Sequence, residues 1–164
     1  VKTWAADKAA AVLENAGVTD FAMNVGGDIR LSRNITPGFA MRIGISTPVT
    51  IASPEAGVLT VVDLNNTEFR AVATSGTAER GEHVWNPKHG SAFANEVSQV
   101  TVVAKDIVTA DVWATALFAS GSSAISIADK YNESNQKNQI AVLVVELDGN
   151  LVATSNFSSL LNPV

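Results

Sequence analysis

The sequence predicts an α+β fold in two layers, a mostly antiparallel sheet with helices on one face. Three observations carry this reading. Short alternating apolar stretches follow one another across turn residues, so neighbouring strands pair antiparallel. The helical patterns cluster, one at the start of the chain and two in succession over 109–131. The chain has 164 residues, 46% of them hydrophobic, which suffices for a single domain over 1–164 with one core.

Each element has its own signal. Thr3 is placed to cap a helix through Trp4, Ala6, Ala10 and Leu13, and Gly17 is a stop signal. Phe21, Met23 and Val25 alternate with Ala22 and Asn24 as a strand, broken by Gly26-Gly27. After a Pro37-Gly38 turn, Phe39, Met41, Ile43 and Ile45 alternate as a half-buried strand. Gly57 to Leu64 forms a further strand, Asn65-Asn66 a turn, and Phe69 to Thr74 its return. Residues 75–96 hold both histidines and Pro87 with little periodicity, a long loop of functional character. Val97 to Ala104 is a strand. Thr109 to Ser120 is a helix stopped by Gly121, and Ser122 or Ser123 caps a second helix to about Tyr131. A polar linker over 132–138 leads into the strand Ile140 to Leu147. Asp148-Gly149-Asn150 turns it back into Leu151 to Ser155.

Composition removes several classes of function. The chain is too apolar for disorder, and with no Cys it has neither a disulfide framework nor a thiolate zinc site. Lys plus Arg number 11 against 16 Asp plus Glu, a net charge of −5, which argues against a nucleic-acid partner. No segment approaches the ~18 consecutive apolar residues of a membrane span. The chain opens on Val1 without a charged-then-apolar leader, which reads as a processed chain or the second part of a longer one.

Four constellations can carry chemistry. Asp111 and Thr115 stand at i and i+4, so a carboxylate and a hydroxyl project from one helical face and can hold a hard cation such as Mg²⁺. From spacing alone the plainer reading is favoured, with Thr109 as an N-cap and Asp111 in the first turn simply favouring the helix dipole. Glu82 to Gly90 contains His83 and His89, either of which suits a general base or a phosphate contact; two histidines alone do not make a zinc site. Gly26-Gly27 permits close backbone approach to a ligand, or makes a hairpin. Thr74-Ser75-Gly76 offers hydroxyls and a Gly at a strand end, and by itself is a turn. No nucleophile elbow surrounds Ser75, and no dinucleotide or Walker glycine motif occurs.

Taken in order, the motifs form a pattern. Lys2-Thr3-Trp4-Ala5-Ala6-Asp7-Lys8-Ala9 is followed by Asn24-Val25-Gly26-Gly27-Asp28-Ile29 and Ala73-Thr74-Ser75-Gly76. His83 with Pro87 and Gly90 comes next, then Thr109-Ala110-Asp111 with Thr115, and a closing hairpin through Leu151 to Phe157. The whole chain resembles the C-terminal half of the ApbE family, the FAD:protein FMN transferases. That resemblance implies an ApbE-like, T-fold-like architecture. It also implies Mg²⁺-dependent cleavage of FAD, with the FMN part passed to a Thr or Ser of an acceptor protein; some members hydrolyse FAD to FMN and AMP instead.

By motif match, Asp111 and Thr115 would be metal ligands, joined by a backbone carbonyl. His83 would be the catalytic residue, assisting the acceptor hydroxyl or the phosphate. Asp7, Thr74, Ser75, Gly76 and His83 would line the FAD site, with Gly26, Gly27 and Asp28 as structural support. The implied partners are FAD, the acceptor protein, and either the family's N-terminal half or a second copy of this chain. Members of the family are often exported to the cell envelope. The family's Asp and Thr appear here as Asn86 and His89, and its Gly-Tyr as Thr3-Trp4; Asn86 removes a charge and adds donors. Family members are about twice this length, and a chain of this size still supports one core. The competing readings are a non-catalytic or hydrolytic flavin-binding module and a β-rich structural domain.

Overall fold

A computed structural model of the chain describes residues 1–48, 57–76 and 97–161. It opens with helix α1, Lys2–Asn15, whose alanines are the best helix formers. Thr3, Ala6 and Ala10 are buried, three positions that fall on one face. The helix ends as Gly17 predicts. Gly17 adopts φ +84°, its N–H bonds the Glu14 carbonyl at 3.0 Å, and that of Val18 bonds the Leu13 carbonyl at 3.0 Å. This is the paired arrangement that a left-handed glycine permits. Thr3 does not cap the helix: Val1 precedes it without a side-chain cap, and Thr3 is buried in the first turn.

The main sheet has six strands in the order β1-β2-β5-β6-β7-β8. They are β1 Ala22–Val25, β2 Asp28–Leu31, β5 Ala71–Gly76, β6 Val97–Ala104, β7 Ala141–Glu146 and β8 Leu151–Ala153. Strands β3, Arg42–Ser46, and β4, Val58–Asp63, form a separate hairpin. Every pairing among the described strands is antiparallel, as expected, but the strand over 69–74 does not return onto 57–64: β5 pairs with β2 and β6, and β4 pairs with β3. The expected strand from Phe39 is shorter, because Phe39 donates its N–H back to the Thr36 carbonyl in a turn. Leu151 to Ser155 is likewise shorter: Ser155–Ser158 forms a single helical turn, α4, that drives Phe157 into the core.

Helix α2, Ile107–Phe118, and helix α3, Ala124–Ser134, follow β6. The N-cap of α2 is Asp106 rather than Thr109. Its two carboxylate oxygens accept the N–H of Thr109 at 2.8 Å and the hydroxyl of Thr109 at 2.7 Å. One carboxylate, with an oxygen for each donor, caps the backbone and holds the Thr109 side chain.

Helices α1, α2 and α3 lie on one face of the sheet. Ala110, Ala114, Leu117 and Ala128 pack there against Ala73, Val100, Val102 and Val142. The β3–β4 hairpin and α4 cover the other face, where Met41, Ile45, Val62, Leu64 and Phe157 meet Val72, Val103 and Leu143. All of β6 is therefore buried. Cores on both faces bury Ser98, Gln99 and Thr101 along with its four valines.

Candidate functional site

The helix face of the sheet is where α1, the β1–β2 turn, β5 and α2 converge. Asp111 is half-buried one turn before the exposed Thr115 on α2. Its Oδ2 accepts a hydrogen bond from the Thr3 hydroxyl at 2.7 Å. The Thr115 hydroxyl lies 3.4 Å from that of Ser75 at the end of β5. Beside them, Asp28 opens β2 with its side chain only 5% exposed. Its Oδ2 meets the Lys2 ammonium at 2.8 Å, and its Oδ1 accepts the backbone N–H of Thr74 at 3.3 Å. Where β2 starts, this carboxylate takes up a strand N–H that no β2 carbonyl reaches. Burial pushes the Asp28 carboxyl above the usual range; Lys2 opposes this, and the Asp111 charge adds to it.

The glycine pair has a clear local reason. Gly26 and Gly27 have φ of +61° and +92°, as a tight hairpin requires. Asn24 Oδ1 braces the turn by accepting the N–H of Gly27 at 3.0 Å. The Lys2 chain passes over Gly26, where a Cβ would stand 3.6 Å from Nζ. Of the two readings for Gly26-Gly27, the hairpin is the one observed.

Strand alternation separates residues that stand next to one another in sequence. Ser75 is on the helix face with Thr115. Thr74 and Gly76 instead line a cavity of about 650 Å³ on the other face, with Asn24, Ile29, Ile45 and Gln99. The Thr74 hydroxyl is 2.9 Å from that of Thr101. The segment is part of a strand, not a turn, and its glycine is set by close approach: a Cβ at Gly76 would meet the Ser98 carbonyl oxygen at 2.9 Å.

Asp7 is engaged elsewhere. Its Oδ1 lies 3.6 Å from Arg30 Nε and 3.6 Å from Arg33 Nη2. Arg30 is 2% exposed and grips Glu14 with two nitrogens, at 2.7 and 3.2 Å. His83, Asn86 and His89 lie outside the described residues. The sequence reading gave Thr3 a different role and left Lys2 unassigned. The Thr3–Asp111 contact spans 108 positions, and no local spacing announces it.

Among the described residues, no group of three or more His, Asp or Glu is placed to hold a metal ion. The oxygens of Asp111 and Thr115 nonetheless fit a hard cation that takes one or two protein ligands and completes its shell with water and phosphate oxygens.

A family model, that of the ApbE family, matches residues 1–144. The chain belongs to the ApbE family. The FAD:protein FMN transferase of Haemophilus influenzae is 30% identical over an alignment taking in 94% of this chain and 44% of that protein. The Escherichia coli K12 protein of the same name is 27% identical, over 92% of this chain and 42% of its own length. Two ApbE structures share the fold. The flavin transferase ApbE of Vibrio cholerae superposes with a TM-score of 0.73 at 28% identity, covering 98% of this chain and 50% of its own. The Thermotoga maritima ApbE protein gives 0.76 at 25% identity, covering 99% and 52%. The chain thus spans about half the length of the ApbE relatives it matches.

Proposed function

We propose that this chain binds FAD together with Mg²⁺ and contributes to transfer of the FMN group onto a Thr or Ser of an acceptor protein. The observation that carries the proposal is the pairing of Asp111 and Thr115 on α2, braced by Thr3 and Ser75 from two other elements. The names of the ApbE relatives support it. When bound, Mg²⁺ would supply charge neutralisation at the diphosphate and stabilisation of the departing AMP. Asp111 and Thr115 supply the oxygens that hold the cation. The acidic surroundings of Asp28 and Asp111 make that cation necessary for an anionic dinucleotide to settle here. In the transfer, the acceptor hydroxyl forms a bond to the FMN-side phosphorus and the phosphoanhydride bond to AMP breaks. His83, by resemblance, takes the hydroxyl proton.

A second reading rests on one observation, that the chain spans about half of its relatives. In it, the chain holds flavin without turnover, or hydrolyses FAD. A fluorescence titration of FAD with and without Mg²⁺ separates the possibilities. Mg²⁺-dependent binding that disappears in Asp111→Ala is expected; equal binding in that variant overturns the cation assignment. FMN found covalently on a Thr-bearing acceptor peptide supports transfer. AMP released without an acceptor supports hydrolysis, and binding with neither product leaves the non-catalytic module.

A further inference from the structure

The first turn of α1 grips two acids with consecutive residues. Lys2 reaches Asp28 at 2.8 Å and Thr3 reaches Asp111 at 2.7 Å. We propose that Thr3 is a positioning residue for Asp111: its hydroxyl binds Oδ2 and presents the other carboxylate oxygen to a divalent cation. This deepens the functional reading above and rests on its cation assignment.

Three observations support the role. Thr3 is 3% exposed, so its hydroxyl has little access to water. A Thr within a helix commonly returns its hydroxyl to a carbonyl one turn earlier. The Thr3 hydroxyl instead donates across to Asp111 on α2. The resembled motif has Gly at this position, which carries no side-chain donor, so the hydroxyl contact is this chain's own. A charge-assisted bond at 2.7 Å holds the carboxylate in one rotation. Partners of this kind, which orient a ligand without touching the ion, typically contribute about 10–100-fold to metal affinity.

The test uses Mn²⁺ alone, followed by electron paramagnetic resonance, on the wild-type chain and on Thr3→Val, Thr3→Ser and Asp111→Asn. Val has the shape of Thr and no donor, whereas Ser keeps the donor. Thermal unfolding of each variant verifies that the fold persists. The expected result is weaker Mn²⁺ binding in Thr3→Val by about tenfold, near wild-type binding in Thr3→Ser, and loss of the site in Asp111→Asn. Binding that is lost in Asp111→Asn but unchanged in Thr3→Val overturns the role of Thr3 and leaves the cation assignment standing. If Thr3→Val does not fold, weakened binding in Thr3→Ser likewise overturns it. No Mn²⁺ binding by the wild-type chain, or binding indifferent to Asp111→Asn, overturns both.

Discussion

Asp28 and Glu14 are two carboxylates that the fold treats in opposite ways. Burial raises the Asp28 carboxyl above its ordinary value of 3.8 despite Lys2. The folded chain then binds that proton more tightly than the unfolded one, so stability falls as pH climbs from 3.8 through the raised folded value. Asp28→Asn keeps an oxygen for the Thr74 N–H and removes the buried charge. Its thermal midpoint is expected to exceed that of wild type by a few degrees at pH 7, with the difference shrinking below about pH 4; a lower midpoint at pH 7 would contradict the account. At Glu14, burial also pushes upward, but the bonds from Arg30 and the Arg33 N–H outweigh it and hold the carboxyl below 4.5. Its contribution is present above that value and is lost as pH falls through the folded one. Glu14→Gln leaves the buried Arg30 guanidinium without its bidentate partner, an expected cost on the order of 3 kcal/mol at pH 7. Urea midpoints measured at pH 7 and again near the acid limit should show that cost and then its disappearance.

Among the elements, β6 and β7 were the plainest in the sequence, because strands covered on both faces carry apolar residues on both, with valine at half of the positions in each. β2 was not legible. In Asp28-Ile29-Arg30-Leu31 the charged residues face the helices and are buried. Polar side chains pointing inward toward partners on α1 defeat a pattern that equates inward with apolar. The Asp111–Thr115 pair was legible because both ends lie on one helix, four residues apart. Its brace from Thr3 was not, because it depends on how α1 packs against α2. The Thr74-Ser75-Gly76 strand end was legible as a place but not as two opposite faces. Gly76→Ala tests the strand reading. Its Cβ would press on a backbone carbonyl of the central strand at 2.9 Å, which cannot yield as a side-chain tip can. The expected loss is about 1–3 kcal/mol, read from chemical denaturation; an unchanged midpoint would mean that β5 and β6 separate there easily.

Across the whole molecule, neighbouring strands in the sheet do not share equal seams. β5 and β6 match over six residue pairs, from Ala71↔Ala104 to Gly76↔Gln99. β2 and β5 match over two, Ile29↔Val72 and Arg30↔Ala71, extended by the bond from the Leu31 N–H to the Arg70 carbonyl. The β3–β4 excursion leaves and re-enters the chain between these two strands. The candidate residues straddle this thin join. Lys2, Thr3 and Asp28 sit on the side of α1 and β1–β2, and Thr74, Ser75, Asp111 and Thr115 on the side of β5 and α2. The sheet therefore behaves like a board with one lightly glued plank, and the candidate site reaches across the crack. A ligand drawing on both banks works as a clasp. Amide hydrogen exchange in Ala22–Val25 and Asp28–Leu31 should slow when FAD and Mg²⁺ are added, while β6 and β7, already locked, stay as they were.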